Sequence, residues 1–265
     1  MAFQIAILGA GDLGRRVAQQ RIAAGDAVAT LRRRPLAMPE GVQAVAGDLS
    51  QVEDLKRLPP APDWLVFCAT PDARNETAYR RLYVEGLARA CEVLQPKRCL
   101  LVSSTAVYGQ DAGEWVDETN PAMAESFNGR VLREAERQNQ IHSGNRVLRL
   151  SGITGPGRHM LINKALLGEG IANAWSNRIH IDDAASALSH LLDLRDPEPL
   201  WIATDDLPAL QIDVANWIRA GHGLPALPPF TQAPTGRRVA NARLKASGWQ
   251  PAFPTYRDSY ALPGV

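Results

Sequence analysis

The apolar run Phe3-Gln4-Ile5-Ala6-Ile7-Leu8 leads directly into Gly9-Ala10-Gly11-Asp12-Leu13-Gly14, and this junction constrains the fold more than any other stretch of the chain. Arg15 to Ala24 follows with Val17, Ala18 and Ile22 at helical spacing, and Gly25 stops the helix. Ala27 to Leu31 reads as a second strand, closed by Arg32-Arg33-Arg34. Strand, glycine turn, helix and strand in this order make a dinucleotide-binding βαβ unit. Gly9 allows the tight turn, Gly11 lets backbone approach a pyrophosphate, and Gly14 lets helix and strand pack closely. The pyrophosphate would rest on the helix N-terminus at Asp12 and Leu13, where unbonded N–H groups and the helix dipole attract an anion. The bland alternative is a glycine-rich turn in an α/β unit that binds nothing.

The pattern continues. Val42 to Ala46, Trp64 to Ala69, Cys99 to Val102 and Arg146 to Leu150 read as strands, and Thr77 to Leu94 and Glu125 to Ile141 as helices. Near-continuous apolar runs such as Trp64 to Ala69 suit strands covered on both faces. Regular alternation predicts an α/β, Rossmann-type, doubly wound parallel sheet with right-handed crossovers. The pattern loosens after residue 150. We therefore expect a dinucleotide-binding domain over 1–150 and a smaller substrate lobe over 151–265, with segments returning to the main sheet.

Which dinucleotide is held depends on the end of the second strand. An Asp or Glu about 20 residues past the glycine turn would hold the ribose 2′-hydroxyl of NAD. Thr30-Leu31-Arg32-Arg33-Arg34 offers no acid. Guanidinium groups suit a 2′-phosphate, so the reading is NADP through Arg32 and Arg33, with NAD as the alternative and a solvated basic loop as the bland one. Asp48 and Leu49, at the end of the third strand, would flank the adenine, or Asp48 would cap a helix.

A net charge of +1 gives no electrostatic reason to expect nucleic acid or an anionic membrane as a partner. Cys68, Cys91 and Cys99 lie in or beside apolar runs without Cys-x-x-Cys spacing, as in reduced core positions of a cytoplasmic protein. No His pair has zinc spacing, so no metal is expected. No apolar stretch is long enough to span a bilayer.

Several blocks in order resemble the extended short-chain dehydrogenases/reductases, the NAD-dependent epimerase/dehydratase group. They are the N-terminal glycine turn, Val102-Ser103-Ser104-Thr105-Ala106-Val107-Tyr108-Gly109, Arg149 to Arg158, Asn177 to Ala185, and Leu244-Lys245-Ala246-Ser247-Gly248-Trp249-Gln250-Pro251. The resemblance implies that Ser104 hydrogen-bonds a substrate hydroxyl or carbonyl, with Tyr108 near the substrate. It also implies that Cys68-Ala69-Thr70 runs beside the nicotinamide ribose. Backbone bonding at a strand end is the bland role for Ser103 to Thr105, and His180, Asp182 and Asp183 read as packing and capping residues.

The chain departs from that family at its catalytic signature, Tyr-x-x-x-Lys. Its five tyrosines, Tyr79, Tyr83, Tyr108, Tyr256 and Tyr260, are followed four residues later by Tyr83, Leu87, Ala112, Tyr260 and Gly264. Registering Glu134 on the acidic residue that follows the motif puts Ser126 at the tyrosine position and Arg130 at the lysine position. A slip of one residue puts Phe127 in place of the phenol. Arg130 keeps a cation but does not readily release a proton. Two functions are compatible with this: an NAD(P)-dependent oxidoreductase or epimerase on a small polar or sugar-like substrate, or a dinucleotide-binding sensor or assembly protein without turnover. The helices Thr77–Leu94 and Glu125–Ile141 are those through which relatives often pair, so a homodimer is one expectation, although their apolar stripes would equally face the sheet.

Overall fold

The computed structural model of the chain describes residues 2–34, 37–195 and 198–260. Met1 and 261–265, the outer ends of the two expected spans, lie outside the described residues. From the N-terminus, β1 (Gln4–Leu8), α1 (Asp12–Ala23), β2 (Ala27–Arg32), β3 (Gln43–Ala46), α2 (Val52–Leu55) and β4 (Trp64–Phe67) come first. A helical stretch follows in three parts: α3 (Glu76–Tyr79), a π-helical segment Arg80–Gly86 and α4 (Leu87–Leu94). Next are β5 (Cys99–Ser104), a 3₁₀ turn Thr105–Val107, β6 (Ala112–Val116), α5 (Phe127–Gln140), β7 (Arg146–Leu150), β8 (Gly152–Thr154) and α6 (Met160–Leu167). The rest is β9 (Trp175–Ser176), β10 (Arg178–His180), α7 (Ile181–Asp193), β11 (Leu200–Ala203), β12 (Ala209–Leu210), α8 (Gln211–Gly221), β13 (Gly236–Val239), α9 (Ala242–Ala246) and α10 (Tyr256–Tyr260).

Seven strands form one sheet in the order β11-β7-β5-β4-β1-β2-β3. The β1–β2, β1–β4, β2–β3 and β4–β5 pairs are parallel, with Leu8 opposite both Leu31 and Phe67. The order reverses between β1 and β4, and ligands of such sheets bind beyond the strand C-termini at that switch point. Ile5, Ala6, Ile7, Leu8 and all four residues of β4 are fully buried, as strands covered on both faces require. The Rossmann-type α/β architecture expected from the sequence is the one present.

By its internal contacts the chain divides into two units. The first comprises Met1–Val107, Ala124–Arg149 and Ala185–Trp201, and the second Tyr108–Met123, Leu150–Ala184 and Ile202–Val265. One division falls beside residue 150, and two exchanges depart from a single break there. Tyr108–Met123 belongs to the second unit because β6 pairs in parallel with the distant β13. Ala185–Trp201 belongs to the first, where the buried Arg146 donates from Nη1 to Leu191 O and from Nη2 to Leu194 O.

Local readings change. The expected helix Thr77–Leu94 is interrupted by seven π-helical residues, and β6 and β11 are strands that the sequence reading did not identify. β6 mixes apolar and polar residues (Ala-Gly-Glu-Trp-Val), and β11 is an apolar run of only four residues (Leu-Trp-Ile-Ala), so periodicity says little about either.

Candidate functional site

The three glycines of the first turn do different work. A Cβ on Gly9, where φ is +86°, would lie 2.2 Å from Ala69 Cα. One on Gly14 would come within 3.1–3.2 Å of Cys68 Sγ, Gly9 O and Ile7 Cγ2. Gly9 therefore excludes a side chain on behalf of the fold itself, and Gly14 would take one only if its neighbours shifted by a few tenths of an ångström. Gly11 has no such constraint: its Cβ would meet only Gly9 O, at 3.9 Å. What Gly11 leaves open is space in front of α1, a helix that carries no side-chain cap at its N-terminus. Asp12 pairs with Arg16 at 3.0 Å along the first turn, and Leu13 is half-buried.

Gly9 and Gly11 line a cleft of about 330 Å³ in the first unit, together with Leu31, Arg32, Arg33, Asp48, Leu49, Ala69 and Thr70. Eight of the twelve positions expected to meet the cofactor thus share one cavity. Asp12, Leu13 and Gly14 open α1 beside it, and Cys68 lies behind it with Sγ 3.4 Å from both Leu8 O and Gly9 O. Burial pushes the Cys68 thiol up to about 12, so it is an inert packing group.

Arg32 closes β2 opposite Ala46, and its Nη1 is buried without a hydrogen-bond partner among the described residues. Arg33 makes a two-pronged pair with Asp72: Nη1 donates to Oδ2 at 2.6 Å and Nη2 to Oδ1. Asp48 accepts from Ser50 N at 2.8 Å, an Asx turn, whereas the N-cap of α2 is Gln51. Burial raises the Asp48 carboxyl, but the Ser50 bonds and the nearby Arg33 and Arg81 outweigh it and hold it below its usual range. Arg81 and Leu82 enter the cleft from the π-helical segment. Such segments are frequent at functional sites, because the wider turn shifts the faces of the helix.

At the end of β5 the two adjacent serines differ sharply. Ser103 is buried and donates to Glu136 Oε1 at 2.5 Å, and Arg149 holds the same carboxylate from Nε at 3.0 Å and Nη2 at 2.6 Å. Its hydroxyl is committed to that buried network. Ser104 is half-buried and its Oγ accepts from Ala106 N at 3.1 Å, which leaves its proton available to a ligand. In the second unit Tyr108 is 1% exposed and donates its hydroxyl to Asp117 O at 2.6 Å. That bond ties the segment before β6 to the residue just after it, a bracing role that the sequence did not reveal.

On α5 the residues at the dyad positions are all accounted for. Ser126 is the N-cap and makes no side-chain capping bond. Phe127 packs edge-on against Tyr79, ring centroids 5.4 Å apart. Arg130 donates to Glu125 O from Nη1 and to Glu76 Oε2 at 3.2 Å from Nη2, about half-exposed. Its charge is compensated within the helix layer.

The second unit holds its own pocket of about 430 Å³, between β8, the loop Gly155–His159, the start of α6 and β10. Arg158, Lys164 and Arg178 line it, with Ser176, Asn177 and Tyr260, and among the described residues the lining contains no acid. β10 pairs with β8 so that Arg178 lies opposite Gly152. Arg178 is 3% exposed; Nη2 donates to Ser176 Oγ at 2.5 Å and Nη1 has no hydrogen-bond partner among the described residues. Asp205 N donates to Arg178 O at 2.6 Å, yet neither Asp205 carboxylate oxygen has a well-formed hydrogen bond. Burial pushes the Asp205 carboxyl up to about 8, against the pull of Arg178.

The family model described as NAD(P)H-binding matches residues 9–144, just over half of the chain. A solved protein from Methylobacillus flagellatus, provisionally named an NAD-dependent epimerase/dehydratase, is 36% identical over 98% of this chain and 97% of its own, with a TM-score of 0.86. The chain belongs to the NAD(P)H-binding family, epimerase/dehydratase group. Protein YeeZ of Escherichia coli K12 is 36% identical over 99 residues, so the match spans about a third of that curated relative (35%) and 36% of this chain. MoeE5, solved with UDP-glucuronic acid and NAD, shares the fold at 21% identity and a TM-score of 0.79, over 97% of this chain and 96% of its own.

For a member of this family the residues of the cleft fit a dinucleotide. The open face at Gly11, the uncapped start of α1 and the unpartnered Arg32 Nη1 are groups that an anionic ligand would satisfy. Sequence reasoning missed Asp72 and Arg81, because both come from segments outside the fingerprint. The only available signals were their placement after the fourth strand and on the following helix. Arg178 and Asp205 were missed for a different reason: burial without a partner has no signature in sequence.

Proposed function

We propose that this protein is an NAD(P)-dependent oxidoreductase or epimerase that prefers NADP and acts on a small polar or sugar-like substrate bearing an anionic group. The observation that carries the nucleotide choice is Arg32: the last residue of β2, with a buried unpartnered guanidinium nitrogen in the cleft and no acid beside it in sequence. The ribose 2′-phosphate would supply that nitrogen with an acceptor. A bound nicotinamide supplies hydride chemistry; the chain's part is to hold and orient. The Asp12–Gly14 turn of α1 receives the pyrophosphate, and Ser104 offers its hydroxyl proton to a substrate oxygen. Tyr108 braces the loop that follows.

The anionic character of the ligand is supported by the second unit's own pocket, lined by Arg158, Lys164 and Arg178 with no acid among the described residues. That MoeE5 holds UDP-glucuronic acid agrees with this class of ligand. Nicotinamide absorbance, followed with nucleotide sugars and simple carbonyl compounds, tests the reading. Turnover that falls at least tenfold in Ser104→Ala supports it, on the scale of a lost hydrogen bond to a reacting oxygen. Turnover indifferent to that change removes Ser104 from the chemistry.

A second reading is favoured by α5. None of the five tyrosines precedes a lysine by four residues, and Arg130 is already paired with Glu76. A positioned acid–base group contributes about 10²–10⁴ in rate, so its loss suits a protein that holds a dinucleotide without turnover. Nucleotide-dependent stabilisation with no substrate-linked oxidation across the same panel would select this reading.

A further inference from the structure

We propose that Asp72 sets the nucleotide preference of the cleft by holding Arg33 away from a ribose 2′-phosphate. The inference rests on the reading of the cleft as an NADP site and goes beyond it, because Asp72 belongs to no part of the glycine fingerprint.

Topology makes the contact meaningful. β1 lies between β2 and β4, Arg33 follows β2, and Asp72 lies in the loop after β4. A bond between these two loops must cross beyond the C-terminal end of β1, where Gly9 to Gly11 turn. Both residues line the cleft with those glycines. Both terminal nitrogens of Arg33 are bound to the Asp72 carboxylate, so only Nε remains to reach a ligand. Arg32 is the opposite case, with a buried nitrogen that has no partner. The two arginines expected to act together are thus in different states, one open and one occupied.

Charge and exposure decide what this does. Three arginines (Arg32, Arg33, Arg81) and two aspartates (Asp48, Asp72) line the cleft. Arg33 and Asp72 are 54% and 69% exposed at their side chains, and an ion pair that exposed is only weakly stabilising. A 2′-phosphate, with up to two negative charges and three acceptor oxygens, competes for Arg33 and opens the pair. A ribose 2′-hydroxyl has no charge with which to compete, so NAD leaves the pair closed. Asp72 therefore weakens NADP binding selectively and lets the cleft accept both nucleotides. It does from the β4 side what an acid at the end of β2 would do more strongly by direct contact.

The test is NADP and NAD affinity of the whole chain by calorimetric titration at low and high salt. Asp72→Asn should tighten NADP about fivefold at low salt, the scale of one exposed charge pair, and change NAD less than twofold. The gain should shrink at high salt. Arg33→Ala should weaken NADP, and Asp72→Asn added to Arg33→Ala should give no further gain. If Asp72→Asn leaves the NADP:NAD ratio unchanged or weakens NADP, while Arg33→Ala still weakens it, the role of Asp72 is overturned and the NADP site stands. A gain that persists without Arg33 also overturns it, because Asp72 would then act through the general field of the cleft. If neither Arg32→Ala nor Arg33→Ala alters NADP binding, the NADP reading falls and this inference with it.

Discussion

Two cavities of this protein handle charge in opposite ways. In the cleft of the first unit the charges are mostly exposed and compensated: Arg33 with Asp72, and Asp48 with the Ser50 amide. In the second unit, Arg178 of the pocket and Asp205, whose amide bonds the Arg178 carbonyl, are 3% and 2% exposed, and each has polar atoms without a hydrogen-bond partner among the described residues. Exposed pairs are inexpensive to break and can be exchanged for a ligand's charge. Buried unsatisfied groups cost stability for as long as no ligand answers them. The first arrangement suits a nucleotide that comes and goes on a prebuilt glycine turn. The second reads as a site whose stability is given up for recognition, since native proteins depart from local consistency mainly where they function.

Substitutions can sharpen or break this contrast, and the largest effect is expected where the turn has no room. Gly9→Val would force a β-branched residue to φ +86° with its Cβ 2.2 Å from Ala69 Cα, which should cost about 3 kcal/mol or more in unfolding free energy and abolish nucleotide binding. Denaturant titration checks the first part and nucleotide titration the second. A stable, nucleotide-binding Gly9→Val protein would show that the turn is not built as described.

Next in size is Asp205. Its carboxyl titrates at about 8 in the fold against an ordinary value of 3.8. The folded pKa lies above the unfolded one, so the penalty is absent below about pH 4, grows as pH rises through the interval, and is complete above about 8. Asp205→Asn should therefore stabilise the protein by a few kcal/mol at pH 8–9 and by almost nothing at pH 4. Thermal unfolding across that range would show the parent losing stability relative to the variant as pH rises. Parallel curves would mean that Asp205 is not the burdened group.

A smaller effect is expected at Arg32. Arg32→Ala should weaken NADP by about tenfold, the scale of a charge-assisted hydrogen bond, with NAD much less affected; fluorescence titration of the reduced nucleotides separates the two. Smallest of all is Arg130→Ala. Its pair with Glu76 is half-exposed on both sides, so stability should change by less than about 1 kcal/mol. A large loss of turnover without a loss of stability would instead give Arg130 a place in the chemistry despite that pairing.

Much of the first unit was legible in the sequence. The glycine turn, the alternation of apolar strands with helices and the acid-free end of β2 depend on local pattern, and local pattern is what a sequence displays. The eight cleft positions named from motifs share one cavity for that reason. What stayed hidden depends on contacts between distant segments. β6 is recognisable only through its pairing with β13, more than a hundred residues later. The commitment of Ser103, but not Ser104, follows from Glu136 and Arg149 meeting beneath β5. Asp72 became relevant only when the sheet order placed its loop across from Arg33. Arg178 and Asp205 carried no spacing signal, because an orphaned buried group is defined by what fails to approach it.

The central claim is that the first unit's cleft holds a dinucleotide, with Arg32 answering a 2′-phosphate. Unfolding of the whole chain with NADP, with NAD and with neither, repeated on Arg32→Ala, tests it most directly. At 100 times its dissociation constant NADP should add about 2.7 kcal/mol to the unfolding free energy, and at that same concentration the gain in Arg32→Ala should fall by about 1 kcal/mol. No stabilisation by either nucleotide, or an NADP effect indifferent to Arg32, would contradict the claim.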